Sequence, residues 1–174
     1  MAEFFAANGY AFRPIERSDA AVLRTWLSEP HVREWWGEPD RELELIDEVF
    51  ALDWIDAFIV AHEARAFAYI QCYHLMRVEP HPFPEQPDGA WGVDQFIGPD
   101  DMIDRGHGAR FIGAFARNKL ARDATRIIVD PDPSNARAIA CYRKAGFEIL
   151  GPRSTPEGPC LLMARDKDKD VVSA

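Results

Sequence analysis

Cysteine is scarce in this chain. Cys72, Cys141 and Cys160 are the only three; they have no metal-ligand spacing and cannot all pair, so a reducing cytoplasm is the simplest setting. The five histidines are scattered, and no metal centre is expected. Positive charge is also short. Lys and Arg number 20 against 29 Asp and Glu, a formal net charge of -9, which argues against nucleic acid and anionic membrane as partners, because phosphates demand a basic face. No apolar run is long enough to span a bilayer. No basic patch followed by an apolar stretch opens the chain, so no secretory leader is expected. Repeats and interdomain linkers are absent too. One domain over 1–174 is expected, with a core of about 10–165 and a charged, frayed tail over about 166–174.

What is present suits a globular protein. Hydrophobic residues reach 47% and charged residues 28%, enough to bury a core and too apolar for disorder. The acidic balance favours a cationic small molecule, provided the carboxylates converge.

Periodicity gives the elements. A strand is predicted at Tyr10 to Ile15, then a helix from Ser18 or Asp19 burying Val22, Leu23, Trp26 and Leu27, ended by Pro30. Val32, Trp35 and Trp36 read as a short aromatic turn, and Arg41 to Leu52 as a second helix. Ala57 to His62 and Ala66 to His74 read as strands, followed by a stiff loop from Glu79 to Gly89 with four prolines. Trp91 to Ile97 is a strand. Gly106 and Gly108 then open a helix burying Phe111, Ile112, Phe115 and Leu120. Arg126 to Asp130 is a strand, and Phe147 to Leu150 and Cys160 to Ala164 close the fold. An antiparallel front half is thus joined to a βαβ back half.

Two segments carry chemistry. In Ile103-Asp104-Arg105-Gly106-His107-Gly108-Ala109, two glycines let the backbone approach a bulky anion, and first-turn amides would point at it. In the second, from Asp130 to Phe147, an acidic strand end leads through Ser134 as a helix cap to a helix carrying Tyr142 in its last turn. Gly146 suits the left-handed exit of that helix.

These two segments resemble the acetyl-coenzyme A binding region of the GCN5-related N-acetyltransferases. That resemblance implies an α/β fold with a mixed, splayed sheet of about six to seven strands and about four helices. It implies acetyl-CoA bound by the backbone of Phe96 and Ile97, by Arg105, Gly106, His107, Gly108 and Ala109, and by Asn135 and Tyr142. Ile103 departs from the family pattern, which has glutamine or arginine there. Further segments narrow the likeness: His31 to Gly37, Tyr69-Ile70-Gln71-Cys72-Tyr73, Gly92-Val93-Asp94-Gln95, and Ser154 to Pro159. In this order they resemble the aminoglycoside 6'-N-acetyltransferases from about Phe12 to Met163.

The resemblance implies Asp94 as general base beside the accepting amine and Tyr142 as proton donor to the leaving thiolate. It implies Asp130, Glu157, Trp35, Trp36 and Tyr73 as acceptor-binding residues. The proline-rich loop keeps acids at Glu85 and Asp88. Glu157 adds a methylene where relatives have aspartate. Of the two tryptophans, one is expected to wall the pocket and the other to pack. His31 and His107 are expected at the surface or as caps, and Cys141 in the core. The expected partner is a cationic amine, with the chain a monomer or weak homodimer. A lysine or hydroxylysine siderophore precursor, or another polyamine, is the alternative acceptor. A non-catalytic drug or cofactor binder is the rival of a different class.

Overall fold

The computed structural model describes residues 2–80 and 82–167. The charged tail expected over about 166–174 lies almost wholly outside them. Among the described residues, eight strands form a mixed sheet in the order β1-β2-β3-β4-β5-β6-β8-β7, with five α-helices. This is the expected α/β architecture with a fuller count of elements. The strands are β1 (Phe5–Ala7), β2 (Tyr10–Pro14), β3 (Ile55–His62), β4 (Arg65–His74), β5 (Ala90–Ile97), β6 (Arg126–Val129), β7 (Glu148–Thr155) and β8 (Gly158–Asp166). The helices are α1 (Ala20–Leu27), α2 (Pro30–Trp36), α3 (Pro39–Glu48), α4 (His107–Arg122) and α5 (Ala136–Lys144).

The chain packs as two compact units. Among the described residues, one takes the chain up to Cys72 together with Asp94–His107; the other takes those of Tyr73–Val93 and those from Gly108 onward. In the first unit, β1, β2 and β3 are antiparallel, with Phe12 opposite both Phe5 and Val60. Their core joins Leu23, Trp26 and Leu27 of α1 to Val32 of α2, Ile46 of α3, and Tyr69 and Phe96 of the sheet. Pro30 does end α1, but it also starts α2. Pro39 likewise starts α3, because a proline at the first helical position gives up an amide that has no partner anyway. The expected aromatic turn is therefore a helix, and the second helix begins earlier than Arg41.

In the second unit, Ala90–Gly92 pairs parallel with Arg126–Ile128, and β8 runs antiparallel to both β6 and β7. The buried guanidinium of Arg165 donates to the carbonyl of Ala145 at 2.7 Å and to that of Gly113 at 3.4 Å. It thereby satisfies a carbonyl that the end of α5 leaves open and ties it to α4. Gly146, at φ +93°, makes the left-handed exit the sequence predicts.

Candidate functional site

The candidate residues divide between the two units. In the first, Asp94 stands half-buried on β5. Gln71 of β4 donates from Nε2 to Asp94 Oδ2 at 2.9 Å. Gln71 Oε1 in turn accepts from the Tyr69 hydroxyl at 2.7 Å. Tyr69 is fully buried, and its phenol is held well above the ordinary tyrosine range by burial first and by the Asp94 charge second. Neither Tyr69 nor Gln71 is assigned a role in the sequence reading. The available signal is period two: positions 69, 71 and 73 share one face of a strand and carry polar atoms inside an otherwise apolar run.

The aromatic segment divides its labour. Trp36 packs edge-on against Phe96 at 4.9 Å between centroids and against Tyr69 at 6.1 Å. Trp35 is exposed. Phe96 turns its ring into this cluster, so only its backbone is left to meet a ligand. His31 is not a surface residue: it is half-buried, and its Nε2 donates to the Ile97 carbonyl at 2.9 Å.

At the glycine loop, Gly106 takes φ +75°, and the position where a side chain would project is open space. The first turn of α4 carries no acid. Left-handed backbone, an open approach and a helix start suit an oxygen-rich anion such as a pyrophosphate. Arg105 is exposed and close enough to depress the Asp101 carboxyl, although Arg65 does more, with two hydrogen bonds of 2.7 Å each. Asp104, at φ +57°, has no role toward an anion that the structure explains. His107 corrects the expectation of a surface or cap residue. Its ring is buried, bonded through Nδ1 to the Tyr10 hydroxyl at 2.9 Å, and packed among His62 and Phe67. Only its backbone can serve the loop. Gly108 and Ala109 follow, half-buried, in the first turn of α4.

In the second unit, Asp130 sits at the end of β6. Burial pushes its carboxyl above the usual carboxylate range. A backbone hydrogen bond opposes this, and the nearby charge of Glu157 adds to it. Glu157 is exposed in the β7–β8 turn, so the two acids converge. The hydroxyl expected to cap α5 is engaged elsewhere. Ser134 donates from both its amide and its hydroxyl to Asp132 Oδ1, at 2.7 and 2.5 Å. The cap is Asn135, whose Oδ1 accepts from the Ala138 amide at 3.0 Å. Tyr142 is buried, with its ring edge-on to Phe147 at 5.7 Å.

The loop acids differ from each other. Glu85 accepts from Arg153 at 2.8 Å, which holds its carboxyl below the usual range and spends its charge. Asp88 is exposed, and its carbonyl accepts from the Thr125 hydroxyl at 3.0 Å.

Tyr73 explains one glycine of the Gly-Val-Asp-Gln segment. A Cβ on Gly92 would lie 2.2 Å from the Tyr73 ring. Gly92→Ala is expected to destabilise the protein by about 1–3 kcal/mol through overpacking, and thermal unfolding measures it.

Burial raises both Cys141 and Cys160 to about 11. Neither is a competent nucleophile at neutral pH. Cys141→Ala should leave turnover within about twofold of wild type, and iodoacetamide at pH 7 should leave activity intact. Among the described residues, no group of three or more metal-binding side chains forms, and no helix is long and apolar enough to cross a membrane.

Residues 16–154 match the family model of the acetyltransferase (GNAT) domain. The chain belongs to the GNAT acetyltransferases. Within that family it lies close to the aminoglycoside 6'-N-acetyltransferases. The aminoglycoside N(6')-acetyltransferase type 1 of Klebsiella pneumoniae is 32% identical over 170 residues, spanning 92% of this acetyltransferase and 84% of the relative. The structure of AAC(6')-Ib with paromomycin and acetyl-CoA superposes with a TM-score of 0.87 at 29% identity, covering 95% of this chain and 98% of that one. The same enzyme with coenzyme A and kanamycin gives 0.86 at 29%, covering 94% and 98%.

Proposed function

We propose that this chain transfers the acetyl group of acetyl-coenzyme A to an amine of an aminoglycoside, the 6'-amine, and that it confers resistance by doing so. The strongest support is likeness along nearly the whole chain to aminoglycoside 6'-N-acetyltransferases whose structures hold acetyl-CoA or coenzyme A with the drug.

The residues supply what the reaction requires. An alkyl ammonium cannot attack a thioester until it loses a proton, and Asp94, held as an acceptor, takes it directly or through water. Asp130 and Glu157 hold further ammonium groups of the acceptor, and Trp35 walls it. Glu85, already paired, contributes less than Asp88. The Gly106 loop and the amides opening α4 receive the pyrophosphate. Asn135 presents its amide nitrogen to the pantetheine arm while its oxygen caps α5. A strand amide near Phe96 or Ile97 steadies the developing oxyanion. Tyr142 protonates the departing thiolate, a modest gain, since a thiolate already leaves well. No covalent enzyme intermediate is needed.

The test is thiol release from acetyl-CoA with kanamycin, with a 6'-hydroxyl analogue, and with a lysine derivative. Release with kanamycin, a 6'-acetyl product by mass and regiochemistry, and silence with the analogue are expected. Release with the lysine derivative alone, or with none of the three, would overturn the reading.

A further inference from the structure

We infer that Tyr69 and Gln71 are positioning residues: a buried phenol fixes the orientation of an amide, and that amide holds Asp94 in its proton-accepting form. The inference deepens the proposed function and rests on Asp94 being the base.

A glutamine amide has two faces, and a flip exchanges oxygen for nitrogen. With Nε2 toward Asp94 Oδ2 at 2.9 Å, the amide donates to an ionised carboxylate. Flipped, it would turn Oε1 on the carboxylate; two acceptors would face each other, and only protonated Asp94 could restore a hydrogen bond. The amide orientation is therefore coupled to the charge on Asp94. Tyr69 decides between the two states. Its hydroxyl donates to Oε1 at 2.7 Å, and its side chain is fully buried. A flip would put an NH2 group against that hydroxyl and take away the acceptor of a buried proton, which is costly. The ring cannot swing away, because it is stacked on Phe96 at 5.4 Å and held edge-on by Trp36. The titratable groups acting electrostatically on Tyr69 are Asp94 and Cys72. The Tyr69 phenol stays neutral, so it adds orientation without adding charge.

The fixed donor favours the carboxylate over the acid, and its removal shifts the protonation of Asp94 upward. Gln71→Met keeps the volume and deletes the donor. Tyr69→Phe keeps the ring and frees the amide to flip. Gln71→Glu sets a second carboxylate against Asp94, and the pair must then share a proton.

The experiment measures turnover against pH with acetyl-CoA and saturating kanamycin for wild type, these three variants and Asp94→Asn, each checked for folding by circular dichroism. Gln71→Met should move the acidic limb up by about one pH unit, a loss of about tenfold in turnover below that limb. Its KM for acetyl-CoA should stay unchanged. Tyr69→Phe should move the limb the same way by less, and Gln71→Glu by more. An inactive Asp94→Asn alongside an unmoved acidic limb in both Gln71→Met and Tyr69→Phe overturns the inference and leaves the base in place. A fully active Asp94→Asn overturns the base, and the inference with it. Should Gln71→Met fail to fold, Tyr69→Phe, which removes only an oxygen, decides the matter alone.

Discussion

Asp94→Asn should cut turnover by about 10²- to 10⁴-fold, the usual contribution of a positioned general base, with the melting temperature and the KM for acetyl-CoA close to wild type. Asparagine has the same shape, and its side-chain oxygen can still accept from Gln71 Nε2, so packing and the local hydrogen bond survive. What disappears, with Asp94 as the proposed base, is the capacity to take a proton from the ammonium. The residual rate then has a signature. Without a base, reaction waits for amine already deprotonated in solution, so turnover should climb about tenfold per pH unit toward the amine pKa, while wild type levels off. Steady-state kinetics from pH 6 to pH 9 measure both effects. Wild-type turnover in the variant would remove Asp94 from the chemistry.

Asp130→Asn is expected to make the protein more stable and less useful. Burial and the neighbouring Glu157 raise the folded carboxyl of Asp130 above its unfolded value. A group shifted this way favours folding below its unfolded pKa and loses that contribution as pH rises through the folded pKa. At neutral pH the ionised carboxylate is thus a cost, and the neutral isostere removes it. Thermal unfolding at pH 7 should shift upward, and the gap should close as pH falls below the unfolded carboxylate range, where Asp130 is protonated in both states. The acceptor should lose a charge partner in the same step. Its KM is expected to rise by about tenfold to a hundredfold, with the KM for acetyl-CoA unmoved. An unchanged acceptor KM would take Asp130 out of the acceptor site. A lower melting point would mean that its backbone hydrogen bond outweighs the burial of its charge.

The elements legible in the sequence were those set by local chemistry. The glycine pair opening α4, the β-branched approach to Asp130 and the glycine exit from α5 are each decided within a few residues of chain. Prolines were legible as boundaries, yet Pro30 and Pro39 each begin a helix, because a proline that closes one element suits the first turn of the next. Ser134 and Asn135 are equally good caps in isolation; Asp132, two residues upstream, engages the serine and leaves the asparagine for α5. The remaining misses are long-range. His107 is buried because Tyr10, 97 residues away, bonds its ring. Gln71 meets Asp94 across 23 residues of separation. No periodicity within one strand reveals which partner lies on the next.

An acetyltransferase that uses coenzyme A discharges a free thiol at every turnover, and such thiols oxidise to disulfides able to cap exposed cysteines. With burial raising Cys141 and Cys160 to about 11, each stays almost wholly protonated at pH 7. At these two positions, the catalyst is protected from fouling by the by-product of its own work.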